Sequence, residues 1–216
     1  MNEEKTPMSC IDCHVLHCRY PEKGEAPKFC LTENIPAETQ QRAMDYLMSP
    51  EDNRIAVAAA EVEYEGYCKR TRVEEIIEFA KKIGAKKLGI ATCMGLIDEA
   101  QILAKILRAN GFEVYGVICK VGSNKKSSIG IPVECEEIGP YMCNPVLQAE
   151  ALNDANTDLN IINGLCVGHD SLFIKHSNAI VTTVVTKDRV LGHNPCVALY
   201  QADKYFKKKF FPEENK

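Results

Sequence analysis

Residues 86–118, KKLGIATCMGLIDEAQILAKILRANGFEVYGVI, decide the fold. KKLGIAT (86–92) is a short apolar run of strand length, and LIDEAQILAKILRAN (96–110) carries the apolar spacing of an amphipathic helix closed by Gly111. FEVYGVI (112–118) is a second strand. Strand, helix and strand within about thirty residues make a βαβ unit, so the two strands are parallel neighbours and the rest of the chain is expected to extend an α/β sheet.

Downstream, Asn144-Pro145 opens a helix to about Ala155, since Asn caps and Pro suits the first helical position. DLNIINGL (158–165) is the third strand and AIVTTVVT (179–186) the fourth. Between them Asp170 is expected to cap a short helix around SLFIKH (171–176). Asn194-Pro195 opens a last helix toward Phe206, and the tail KKKFFPEENK reads as a solvated end. Upstream, a helical region runs from about Pro36 to Gly84. Ser49-Pro50-Glu51-Asp52 starts one of its helices, which ends at Gly66, and Thr71 to Ile83 places Val73, Ile76, Ile77 and Ala80 on one face. The expectation is an α/β fold with an open, mostly parallel sheet flanked by helices on both faces. A cysteine-rich leader (1–34) precedes it, and the domain (35–216) divides into a helical segment (35–84) and a sheet core (85–216).

The chain has 216 residues, 45% hydrophobic and 26% charged, a composition that excludes collagen, coiled coil and wholesale disorder. No window approaches the roughly 18 uninterrupted apolar residues of a membrane span, and MNEEKTPMSC has no basic start followed by an apolar run. A cytoplasmic location without a membrane partner is expected. The net charge of -4 argues against nucleic acid as a partner.

Eleven cysteines are the compositional anomaly. In a reducing compartment they point to metal binding or thiol chemistry rather than disulfides. Cys68 and Cys135 have no suggestive neighbours and read as small buried hydrophobes. Cys10, Cys13, Cys18 and Cys30 form C-x2-C-x4-C-x11-C in a segment with almost no apolar periodicity. Four thiolates of this kind suit a structural zinc or an iron–sulfur cluster, and His14 and His17 leave mixed ligation open.

A second constellation emerges once the strands are placed. Cys93, Cys119 and Cys166 each follow a strand, at the carboxyl end where an open parallel sheet keeps its binding crevice, and Cys143 lies at the start of the Asn144 helix. Neighbouring strand ends lie roughly 5–10 Å apart, so these four cysteines are expected to share one rim as a second cofactor-binding set. Helix N-termini there favour thiolates. His169 and His193 sit at turns on the same rim, and Gly95, Gly164 and Gly168 permit close backbone approach. No glycine-rich phosphate loop is present. An alternative is a cysteine-nucleophile enzyme in which Cys93 attacks, His169 or His193 is the base, and the leader is a structural zinc knuckle.

The passages CNPVLQAEALN, LNIINGLCVGHDSLFIKHS, DRVLGHNPCVALY and RVEEIIEFAKKIGAKKLGIATC, together with the cysteine-rich start, resemble an uncharacterised family of anaerobic bacteria and archaea whose members are described only as predicted metal-binding proteins. The resemblance spans Cys10 to Tyr200. It implies metal, through the leader cysteines and through Cys93, Cys119, Cys143, Cys166, His169 and His193, and it implies no particular reaction. The expected cofactors are an iron–sulfur cluster, zinc or both, with electron transfer, redox sensing or metal handling as the role. A redox protein is a possible partner.

Overall fold

The structure is a computed structural model and describes residues 8–22 and 24–212. The extreme N-terminus read for targeting signals and the last four residues of the tail lie outside the described residues. The chain divides into two compact units, one up to Val57 and one from Ala58 onward.

In the first unit, 3-10 turns at Cys10–Asp12 and His17–Arg19 are followed by α1 (Leu31–Asn34), α2 (Ala37–Leu47) and the first half of α3 (Pro50–Gly66). Ser9 and Asp12 cap each other across the first turn, the Ser9 amide donating to Asp12 Oδ2 at 2.7 Å. Ser49 caps α3 as expected, its hydroxyl accepting from the Asp52 amide at 3.3 Å. Among the described residues of this unit, Cys30 is the one buried hydrophobic side chain.

The second unit is the α/β body. α4 (Arg72–Lys82) starts at a reciprocal cap between Thr71 and Glu74. Then follow β1 (Lys87–Thr92), α5 (Ile97–Ala109), β2 (Glu113–Ile118), α6 (Pro145–Asp154), β3 (Leu159–Asn163), α7 (His169–His176) and β4 (Ile180–Val185). The strands form one all-parallel sheet in the order β2-β1-β3-β4. Lys87 lies opposite Glu113, Leu88 opposite Leu159, and Leu159 opposite Ile180.

Strand alternation sends side chains to two cores. Leu88, Ile90, Leu159 and Ile161 pack with α4 and α5, whose Ala100, Leu103, Ala104 and Leu107 recur at helical spacing on one stripe. Ala91, Val117 and Ile162 pack on the other face with Ala149 and Leu152 of α6 and Phe173 of α7. Helices therefore cover both faces. Fully buried Leu107 is a keystone of the first core, and truncating it to Ala costs about 2–5 kcal/mol. The chain runs outward from β1 to β2 and then back across to β3. The order reverses between β1 and β3, which is where such sheets open a crevice beyond their carboxyl ends.

Four expectations are corrected. The third strand stops at Asn163 rather than 165 because Gly164, at φ 72, turns the chain. α7 is capped by Gly168 (φ 82) and not by Asp170; the Cys166 carbonyl already accepts from the His169 and Asp170 amides, so winding begins earlier, and Asp170 Oδ1 instead accepts from Ser171 at 2.8 Å. The last helix does not reach Phe206. It is α8 (Cys196–Tyr200), followed by turns and α9 (Lys207–Phe210), because Leu199, Tyr200 and Tyr205 are exposed and offer no continuous stripe to bury. Cys68 and Cys135 are exposed rather than core, one in a left-handed turn after α3 and one in a 3-10 turn of the polar 119–143 connection.

Candidate functional site

The rim is built by backbone ladders that run past the ends of the strands. The Cys93 amide donates to Asn163 O at 3.4 Å and the Cys119 amide to Thr92 O at 2.8 Å, so both residues continue their strands by one step. Beneath them, Asn163 Nδ2 donates to Thr92 Oγ1 and to Leu96 O, each at 3.1 Å. The Thr92 hydroxyl lies 3.2 Å from the Cys93 carbonyl. This buried polar network fixes the turn that carries Cys93. Gly164 completes it: a Cβ there would fall 1.9 Å from Leu96 Cδ1, so neither its space nor its positive φ admits a side chain.

α6 is tied to the same place. Asn144 caps it, Oδ1 accepting from Leu147 N at 2.9 Å, and the Asn144 amide donates to Cys119 O at 2.8 Å. One turn on, fully buried Gln148 donates to Thr92 O at 3.1 Å and Val117 O at 2.7 Å, while its Oε1 has no partner. Cys143, directly before the cap, is thereby set against Cys119.

Among the described residues the four rim cysteines do not stand as one cluster. Cys119 and Cys143 share a hydrogen bond, and Cys143 also hydrogen-bonds His169, the first residue of α7. The hydrogen bond from Cys119, then that from His169, and the positive charge of Lys120 lower the Cys143 thiol to about 4 against the cost of burial. Cys119 is its counterpart. Its bond to Cys143 and its burial raise it far above the ordinary thiol range, although the Met94 amide donates to its Sγ at 3.3 Å. Cys143 is thus the thiolate and Cys119 the thiol of the pair. Cys93 is close enough to act on Cys119 by charge. Cys166 is held from outside the ladder, its Sγ accepting from Arg189 Nη2 at 3.0 Å. That bond and the charge of Cys166, and after them the charges of Cys93 and Cys143, make the guanidinium hold its proton more tightly.

His193 has another use. At φ 66, its amide donates to Asp188 O at 2.8 Å and its Nδ1 accepts from Asp188 N at 3.1 Å, closing the loop that presents Arg189. Arg189, Lys120 and Gln148 are functional neighbours that sequence reasoning misses. Arg189 sits in a loop without periodicity, and an isolated Gln on a helix gives no signal until its carboxamide is seen under two strand ends.

In the leader, Cys10 and Cys18 are exposed, Cys13 is half-buried, and Cys30 is buried at the start of α1. His17, their neighbour in sequence, is half-buried: its side chain is 10% exposed, Nε2 lies 3.4 Å from Glu33 Oε1, and Nδ1 is buried with no partner. Asn34 Nδ2 donates to Cys30 O at 2.8 Å and Lys28 O at 3.0 Å, tying α1 to the segment before it. Among the described residues, no three His, Cys, Asp or Glu side chains stand as a ready metal-binding group at either place. No described helix is long and apolar enough to cross a membrane.

A parallel α/β body whose switch-point rim is lined by thiols, with a cysteine-rich segment before it, defines the class of protein. Residues 30–184 match the model of a family described as "Protein of unknown function (DUF1847)", and the chain belongs to that family. Uncharacterized protein MJ0455 of Methanocaldococcus jannaschii is 47% identical over 183 residues, which cover 84% of this chain and 93% of that relative. The matched family span contains Cys93, Cys119, Cys143, Cys166 and His169. It begins at Cys30, so Cys10, Cys13 and Cys18 precede it.

Proposed function

We propose that this is a thiolate metalloprotein whose working centre is the carboxyl rim, with the leader as a second site of four cysteines. The observation that supports the reading is the pairing of Cys119 with Cys143 at the carboxyl rim, with Cys93 close enough to act on Cys119 by charge and Cys166 linked to the same rim through Arg189. A purely structural core has no reason to gather them. The donor set fits a soft cation. One thiol is already a thiolate, its neighbour is held protonated by crowding and burial, and a bound cation relieves both penalties. Cys119 and Cys143 would hold the metal, with Cys93 and Cys166 completing the set and His169 beside it. In the leader Cys10, Cys13, Cys18 and Cys30 would do so, and the unpartnered Nδ1 of His17 is a further donor.

An iron–sulfur cluster would supply one-electron transfer, and zinc would supply structural order. The chain's own contribution at the rim is to fix Cys93 and Cys119 on strand ends, to keep Cys143 ionised, and to place the positive charges of Arg189 and Lys120 beside accumulating negative charge. The roles this supports are electron transfer, redox sensing or metal handling. The test is metal analysis and visible spectroscopy of anaerobically purified protein. Brown, iron-bearing protein or zinc-bearing colourless protein, depleted at one site by Cys166→Ser and at the other by Cys13→Ser, is the expected result. Protein purified without either metal, and taking up neither iron nor zinc, overturns the reading.

A second reading, a cysteine-nucleophile enzyme, is favoured by one specific observation: His169 hydrogen-bonds Cys143. The thiolate and histidine that this reading expects around Cys93 are found at Cys143. With the Cys143 thiol at about 4, iodoacetamide at about pH 6 should label Cys143 ahead of ordinary thiols, which are almost wholly protonated there. His169→Ala removes a bond to the thiolate, so the pH at which Cys143 labelling is half-maximal should move upward. An unmoved midpoint removes the histidine from the account.

A further inference from the structure

The pair Cys119–Cys143 has a property that the other rim cysteines lack. Its two residues are backbone neighbours, Asn144 N donating to Cys119 O at 2.8 Å, and Cys119 is fixed again by its own amide, which donates to Thr92 O at 2.8 Å; the two thiols bear directly on each other's ionisation. The connection between them is pinned along its length. Met142 N donates to Asn124 O at 2.9 Å, Lys126 N to Pro140 O at 3.0 Å, and Lys120 Nζ to Tyr141 O at 2.6 Å. Joining the sulfurs therefore starts from a backbone that already holds Cys119 and Cys143 side by side. The two sulfurs also differ in access, Cys143 being half-buried and Cys119 buried.

We propose that Cys119 and Cys143 are a reversible two-electron dithiol–disulfide couple that exchanges with low-molecular-weight disulfides. Cys143, the more accessible of the two residues, attacks one sulfur of the small disulfide as the thiolate that any such exchange requires; the S–S bond breaks, one thiolate leaves, and a mixed disulfide remains on Cys143. Cys119 then attacks Cys143 Sγ, its proton passing to the departing second thiol. The protein loses two electrons, the small disulfide gains them, and the products are one thiolate, one thiol and the Cys119–Cys143 bond. Lys120 and Arg189, whose charges both reach Cys143, make an anionic disulfide the better substrate. The couple does not depend on the metal centre proposed above. If metal is bound there, oxidation removes two of its ligands at once.

The experiment uses the full chain, purified anaerobically, with metal content read first and any metal then removed by chelation. Oxidised glutathione is the probe. Digestion with trypsin and a glutamate-specific protease separates Cys119 (peptide 114–120) from Cys143 (peptide 138–150), and each of these peptides contains a single cysteine. The expected result is a cross-linked 114–120/138–150 peptide that dithiothreitol splits, formed in wild type and in Cys135→Ser alike. In Cys119→Ser, glutathione should remain trapped on Cys143. Separate glutathione adducts on Cys119 and Cys143 of the wild type, or a pair that stays reduced while other cysteines react, would overturn the inference. A failure of the metal reading appears instead in the metal content before chelation and leaves the peptide result intact.

Discussion

The leader and the rim each carry four cysteines, yet the chain prepares them in opposite ways. In the leader the cysteines are close in sequence and little apolar surface is buried with them: Cys30 is the one buried hydrophobic side chain among the described residues of its unit, and short turns and caps are joined there by the contacts of His17 with Glu33 and of Asn34 with Lys28 and Cys30. At the rim the cysteines lie up to 73 positions apart (166 minus 93), and a buried sheet places them. If the proposed centres hold metal, the ligand must do the folding in the leader, whereas at the rim topology sets the residues in place before any ligand arrives.

The comparison is broken most easily at the leader. With few buried apolar contacts of its own, its order should depend on metal, so chelation or Cys13→Ser should make residues up to about Cys30 protease-sensitive while the sheet unit stays resistant. An unchanged digestion pattern would show that the two regions are ordered alike.

A smaller effect sharpens the other side. Gly164→Ala sets a Cβ 1.9 Å from Leu96 Cδ1 at a φ of 72, and it should cost about 2–4 kcal/mol in denaturant unfolding while loosening the Cys93 turn. Since Leu96 O and Asn163 belong to the network under Cys93, exchange protection should fall there before it falls in the leader. A loss below about 0.5 kcal/mol would mean that the rim is not braced as described.

The smallest effect lies at the opposite edge of the sheet. Burial pushes the Asp158 carboxyl up, but the Lys87 and Lys86 amides, donating at 2.8 and 2.7 Å, hold it below the ordinary carboxylate range. A lowered carboxylate stabilises the fold above its unfolded pKa, and that contribution is lost as pH falls through the folded value. Asp158→Ala should therefore cost about 1–2 kcal/mol near neutrality, and the gap should shrink as acid protonates the wild type. Thiol reactivity at the distant rim should not change.

Much of this is legible in the sequence, for identifiable reasons. The strands start within a residue of their expected positions because apolar runs bounded by glycine and polar residues encode them locally; Cys93 and Cys119 directly follow strands as expected, whereas Cys166 lies three residues past the end of the third. The cap of α7 is misread because an Asp before a helix resembles a cap, whereas only the backbone reveals that Gly168 adopts φ 82 two residues sooner. Cys68 and Cys135 are misplaced in the core by residue type alone, which carries no information about a turn. The partnership of His169 with Cys143, and of Arg189 with Cys166, joins residues from separate loops, and no local pattern records it.

Gln148 gives the rim a common frame of reference. Its carboxamide donates both hydrogens to strand-end carbonyls, those of Thr92 on β1 and Val117 on β2, while its own helix carries the backbone that leads back to Cys143. Three of the four thiols are therefore mounted on one mechanical block, in which a tilt of α6 at its first turn displaces the ends of two strands as well. Cys166 stands outside that block, gripped by a long arginine side chain presented on a loop. In engineering terms the site has three fixed jaws and one adjustable jaw.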